Sequence, residues 1–394
     1  MDFKFTQEQE RFRKEVRDFL EGEIEKGIFE TRANGWVTEE NEAFVHHLAE
    51  RGWLGMTWPQ EYGGQGRSYL DRLILTEEMM HYGAPGGGFL VGDRQIGPSI
   101  MAHGTEEQRD FFLPRIVRGE TSFAIGISEP QAGSDVGALE TRAVEEGDSF
   151  VISGQKVWTS NASRSDFIYL IARTNFAPEV SRYRSISEFI VDLKTPGITI
   201  NPLMDMAGHG HWCEVFFDDV QVPGTTLIGK KDMGFYQIMS QLDYERAGVE
   251  RLMGNYPLLR GIIDYTKETK RDGVPLCKQP RIRYMLSDLM IKFEVGKLLV
   301  YRVAWLLNQK EKPTLTRDTC IAKVYGNRFE QELDNAAMNI AGLHGQLDSG
   351  SKCAILDGAI TRAYLFSPAH SIQGGTSEIL MNIIADRGLG LPRK

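Results

Sequence analysis

Two short runs of this chain have the residue types of a binding site for a flat, polar ring. The first is Gly126-Ile-Ser-Glu-Pro-Gln-Ala-Gly-Ser-Asp-Val-Gly-Ala138, where small residues and hydroxyls crowd around a proline bend. The second, a little further on, is Gly154-Gln-Lys-Val-Trp-Thr-Ser-Asn161, a tryptophan followed by two hydroxyls. Backbone amides in such runs can bond the heteroatoms of a flavin-type ring, and a tryptophan can lie against it. A phosphate loop needs a glycine-rich turn between a strand and a helix. Tyr62-Gly-Gly-Gln-Gly66 has the glycines but follows no strand signal.

Hydrophobic periodicity predicts the elements that must hold these runs. From Thr6 to about Glu120 apolar residues recur at helical spacing, as in Phe12, Val16 and Phe19, and more loosely in Phe44, Leu48 and Leu54. Thr105-Glu-Glu-Gln108 is a capping box, and it predicts a helix whose buried side carries Phe111, Phe112 and Leu113. Between Ser122 and Gly229 the texture changes to short β-branched and aromatic runs at 149–152, 167–172, 188–192, 197–200 and 214–217. Strands so close together, without helices between them, predict an antiparallel barrel or sandwich. After Lys231 the helical period returns near 233–269, 280–309, 316–341, 352–366 and 377–386, with Ile282, Met285, Leu286, Leu289 and Phe293 on one face. The expected fold is α+β and multidomain: an N-terminal helical domain at 1–120, a middle antiparallel β-barrel or sandwich at 121–230, and a C-terminal helix bundle at 231–394.

Bulk properties exclude several classes. The 394 residues exceed what one core sustains, which agrees with that division. A net charge of −9 with scattered basic residues leaves no footprint for nucleic acid. No apolar run is long enough to span a bilayer, and Met1 to Glu10 has no apolar signal core, so the expected location is cytoplasmic. Cys213, Cys277, Cys320 and Cys353 form no C-x-x-C pair and are expected as reduced thiols. His209-Gly-His211-Trp-Cys213 lacks a matching ligand pair, so it reads as a polar loop and no metal is expected.

In domain order and in four sequence blocks the chain resembles the acyl-CoA dehydrogenase family. The blocks are Gly126-Ile-Ser-Glu-Pro-x-Ala-Gly-Ser-Asp135; Gly154-Gln-Lys-x-Trp158 with Asn161; Glu214-Val-Phe-Phe-Asp-Asp-Val-x-Val-Pro223; and Gly374-Gly-Thr-Ser-Glu378 with Arg387-Gly-Leu-Gly-Leu-Pro392. The resemblance covers essentially the whole chain. It implies a bound FAD and desaturation of an acyl-CoA between its α and β carbons, the flavin taking the β hydride and a carboxylate the α proton. It places Ile127 and Ser128 at the border of the flavin ring, Trp158 at its flank, Ser160 near its N5, and Ser134 along the acyl-CoA or flavin path. Gly342, Gly345 and Thr376 complete the implied cofactor contacts, and Asp243, Arg246 and Gly375 the implied substrate contacts.

The α proton of a thioester is too weakly acidic to leave unaided, so a donor to the carbonyl oxygen and a desolvated carboxylate are both required. The resemblance assigns the donor to a backbone N–H in Ser371-Ile-Gln-Gly-Gly-Thr376, where Gly374 stands at the position that usually carries the catalytic glutamate. Glycine can donate its N–H but cannot take a proton. A subset of the family that includes isovaleryl-CoA and long-chain dehydrogenases supplies its glutamate from an early helix of the last domain, just before an arginine. Leu242-Asp-Tyr-Glu-Arg246 puts Glu245 at the matching position. The alternative for Glu245 is a surface pairing with Arg246 or Arg251, and Asp243, Glu250 and Glu378 are the other candidate carboxylates.

Two departures bear on the cofactor. Where many members carry Arg-x-x-Phe-Gly for the pyrophosphate of a neighbouring subunit, this chain has Thr269-Lys-Arg-Asp-Gly273, leaving Lys270 or Arg271 as substitutes. The usual Gly-Gly-x-Gly appears as Gly342-Leu-His-Gly345. The implied partners are an acyl-CoA substrate, an electron-transfer flavoprotein, and either three further copies in a homotetramer or a related subunit in a heterotetramer. The alternatives are a subunit of a heteromeric dehydrogenase and a flavin oxidase or monooxygenase on the same scaffold. The Gly374 and Glu245 exchange favours branched, cyclic or otherwise bulky acyl groups.

Overall fold

A computed structural model describes residues 4–32, 35–239, 249–309 and 315–392. They form two compact units, one drawn from Met1–Glu39, Ser68–Pro85 and Arg246–Lys394, the other from Glu40–Arg67 and Gly86–Glu245. The expected sequence of helices, sheet and helices is present.

The first unit is helical. Its long helices are Gln7–Glu25, Tyr69–His81, Tyr256–Glu268, Pro280–Leu307, Thr316–Ala341 and Ala359–His370, and Ser377–Ile383 closes it. Thr6 starts the first of them by accepting from Gln9 N while Gln9 returns a bond to the Thr6 N–H, and Phe12, Val16 and Phe19 then fall on its buried face. Ile282, Leu286, Leu289 and Phe293 are likewise buried, at the expected helical spacing, and Met285 beside them is half-buried.

The second unit is built on an eight-stranded sheet: β1 (Phe123–Gly126), β2 (Arg142–Glu146), β3 (Ser149–Ser160), β4 (Phe167–Arg173), β5 (Ile186–Asp192), β6 (Ile198–Leu203), β7 (Trp212–Pro223) and β8 (Leu227–Ile228). Its path is β6-β7-β3-β2-β4-β5-β8, with β1 beside β4. Side chains of β4 alternate between two cores. Ile168, Leu170 and Ala172 join Phe150, Ile152, Val215 and Phe217 on one face, and Tyr169 joins Ile100, Leu113 and Phe123 on the other. The helix Glu106–Val117, started by the Thr105–Gln108 capping box, packs on that second face through Phe112 and Leu113, whereas Phe111 is 44% exposed.

A middle β domain between helical regions is present as expected, and the sheet narrows the expected antiparallel barrel or sandwich in two ways. It is not closed, because its path ends at β6, where Pro202 offers no N–H, and at the two-residue β8. It is also mixed, because β1 runs parallel to β4, from Phe123 opposite Phe167 to Gly126 opposite Leu170. β1 is delivered by a helix rather than a hairpin, so no tight turn forces it antiparallel.

Candidate active site

In the sheet unit the two runs meet through a buried ion pair. Lys156 Nζ donates to Glu129 Oε1 at 2.7 Å and to the Ile127 carbonyl at 3.1 Å, with both charged side chains shielded from solvent. Glu129 also accepts from the backbone N–H of Glu140 at 2.6 Å and of Thr141 at 2.9 Å. Ser128 adds a backbone bond, its carbonyl accepting from Val157 N at 2.9 Å. Burial pushes the Lys156 ammonium down to about 8 against the attraction of Glu129. Burial acts to raise the Glu129 carboxyl, but Lys156 and the N–H donors prevail and hold it below its ordinary value. The pair therefore fixes the half-buried Ile127 and Ser128 against β3, while Ser134 lies exposed beyond them.

Trp158 stands where the β3–β7 register shifts between Lys156 and Thr159. The bulge puts it at φ 61, a conformation disfavoured for a bulky side chain, and leaves it 61% exposed. Its ring meets the edge of Trp212, with centroids 6.2 Å apart at 88°. Ser160, half-buried, pairs with Trp212 across the strands, and the following Asn161 N donates to the His211 carbonyl at 2.6 Å. A large ring held outward at the cost of backbone strain, next to main chain pinned by Lys156 and Glu129, fits a flat heterocycle such as a flavin.

In the helical unit the segment 371–376 connects Ala359–His370 to Ser377–Ile383. Gly374 at φ 65 and Gly375 at φ 97 lie in the region that only glycine enters freely. The Ser377 N–H bonds back to the Ser371 carbonyl at 3.0 Å, and Thr376 caps the next helix by accepting from Ile379 N at 3.2 Å. Inside the loop, Lys323 Nζ donates to the Gln373 carbonyl and, at 2.7 Å, to that of Gly375. Gly342 ends the helix Thr316–Ala341 at φ 60, and the carbonyl of buried Gly345 accepts from Thr361 Oγ1 at 2.6 Å. Asp243, Glu245 and Arg246 lie outside the described residues. Of the other carboxylates considered, Glu250 is buried and Glu378 is exposed in the first turn of its helix.

Thr269 to Gly273 leads into a two-stranded hairpin, in which Arg271 pairs with Val274 and Lys270 with Pro275 around an Asp272-Gly273 turn with positive φ at both residues. Lys270 and Arg271 are exposed on it. Three residues that hold the candidate loops were not singled out by sequence: Glu129, Lys156 and Lys323. The available signal was a lysine where strand alternation or a helix face calls for an apolar residue. Among the described residues no group of three His, Cys, Asp or Glu could hold a metal, and no helix is long and apolar enough to cross a membrane.

Comparison with known proteins places three family models along the chain. The models for the N-terminal, middle and C-terminal domains of acyl-CoA dehydrogenases match residues 6–120, 124–220 and 232–389. The acyl-CoA dehydrogenase FadE26 of Mycobacterium tuberculosis is 33% identical over 402 residues, covering 100% of this chain and 99% of its own length. Among solved structures, the Tcur3481-Tcur3483 steroid ACAD is 30% identical with a TM-score of 0.87, covering 100% of both chains. A chain in the crystal structure of the ChsE4-ChsE5 complex from Mycobacterium tuberculosis is 34% identical with a TM-score of 0.86, again covering 100% of both chains.

Proposed function

The chain belongs to the acyl-CoA dehydrogenase family, an oxidoreductase family of flavoproteins, and from that premise we propose that it desaturates an acyl-CoA thioester between its α and β carbons. Its proposed domains are 1–120, 121–230 and 231–394. The observation that carries the reading is the 371–376 loop: with glycine at 374 and 375 it offers main-chain donors and no carboxylate. The Gly374 N–H donates to the thioester oxygen and lowers the cost of the developing enolate charge. Glu245 removes the α proton, and desolvation beside the acyl chain raises its basicity.

Ile127, Ser128, Trp158 and Ser160 would hold FAD, which supplies the acceptor for the β hydride. The partner proposed to receive the electrons is an electron-transfer flavoprotein. The substrate is a bulky, cyclic acyl-CoA, a choice supported by the steroid ACAD among the similar structures. Glu245→Gln tests the assignment: turnover should fall by about 10³ while flavin content and acyl-CoA binding persist, and near-normal turnover would exclude Glu245 as the base.

The assembly is a heterotetramer with a related subunit. The hairpin at 270–275 lacks the usual arginine pattern for the pyrophosphate, and a similar structure is a complex of two named chains. The chain purified alone should show little flavin absorbance and gain it with its partner. A full flavin spectrum in a homotetramer would overturn this assembly.

A further inference from the structure

We propose that Lys323 is a positioning residue that aims the Gly374 N–H, an inference that rests on the reading of Gly374 as donor to the thioester. Lys323 is 1% exposed, and its Nζ donates to the carbonyls of Gln373 and Gly375. The Gln373 carbonyl and the Gly374 N–H belong to one peptide unit, and the described residues contain no cis peptide. In a planar trans peptide the two groups point in opposite directions. Drawing the carbonyl toward Lys323 therefore turns the Gly374 N–H away from Lys323. The same bond polarises the amide and makes that N–H a stronger donor. Both glycines have the backbone freedom to turn over, and the hold at 373 and 375, on either side of Gly374, removes it.

The helix carrying Lys323 is built for this grip. Lys323, Asn327, Glu330 and Asp334 form a buried polar stripe along one face. Seven residues beyond Lys323, about 10 Å along the axis, Glu330 bonds His370 Nδ1 at 2.8 Å. His370 is the last residue of the helix that leads into the loop. One helix thus fixes both the base of the loop and its middle.

The test is infrared difference spectroscopy of the flavin-loaded protein with a 3-thia-acyl-CoA, 13C-labelled at the thioester carbonyl, which cannot be desaturated. Binding to the wild type should move the carbonyl band to lower wavenumber. Lys323→Met should lose most of that shift, with kcat down about tenfold or more and KM within about twofold. Lys323→Gln keeps an N–H donor on a shorter arm and should retain part of the shift, and it carries the test if the Met variant does not fold. A full shift in either folded variant would overturn the role of Lys323 and leave Gly374 as donor. No shift in the wild type would overturn the Gly374 reading and this inference with it.

Discussion

Lys156 Nζ lies 2.7 Å from Glu129 Oε1, and the same nitrogen reaches the Ile127 carbonyl, so one buried ammonium joins strand β3 to the bend after β1. Removing one partner leaves the other charged and buried, which costs about 3–5 kcal/mol, whereas removing both leaves no unpaired buried charge. Lys156→Met and Glu129→Gln should each lower the urea midpoint strongly. The double variant should recover a large part of the loss, and a purely additive result in this cycle would argue against a coupled pair.

Trp158 is held at φ 61 with 61% of its surface exposed, so the isolated chain gains little from its burial and bears the backbone strain. Trp158→Gly relieves a left-handed conformation worth about 1–2 kcal/mol, partly offset by the entropy glycine adds to the unfolded chain. Thermal unfolding of the flavin-free variant should occur at or above the wild-type temperature, while flavin affinity drops. A clear loss of stability without flavin would mean that the ring packs structurally rather than against a ligand.

The helical and sheet regions were legible because they rest on local rules. Thr105 to Gln108 reads as a capping box and is one, and the apolar spacing of Ile282, Leu286, Leu289 and Phe293 matches their burial. Phe111 departs from the expected buried side because three successive residues of a helix cannot share one face, and the first of them turns outward. Strand β1 escaped because Phe123 to Gly126 is short and pairs with β4, forty-odd residues downstream. The candidate site was legible only as loops. What fixes those loops, Lys156 on Glu129 and Lys323 on two carbonyls, is non-local, and a lone lysine in a sequence reads as solvated surface until its partner is placed.

Gly374, at φ 65, makes a second kind of claim on the sequence. Alanine there would occupy a left-handed conformation and cost about 1 kcal/mol, yet it keeps the backbone N–H. Gly374→Ala should therefore lower the unfolding midpoint slightly and, if the added methyl turns the peptide, reduce kcat more than acyl-CoA binding. Unfolding by guanidinium together with steady-state kinetics separates the two effects, and unchanged stability would mean that the loop relaxes out of its left-handed geometry.

Glu188 gives the sheet unit a pH dependence of defined sign. Its carboxyl is buried on β5, where Oε2 accepts from Tyr169 OH at 2.8 Å and from Gln237 Nε2 at 2.6 Å. Burial pushes its pKa up to about 8, although both hydrogen bonds favour the ionised form. The folded state therefore keeps a proton that the unfolded chain releases near 4.5. This contribution to stability is complete below the unfolded value and is lost as pH rises through the folded one. Unfolding free energy should accordingly fall between those two values by more than the remaining carboxylates explain. In Glu188→Gln, which cannot ionise, that slope should flatten and the variant should gain on the wild type at the alkaline end. Denaturant titrations across the window check the sign, and parallel profiles for the two proteins would show that Glu188 does not carry the proton.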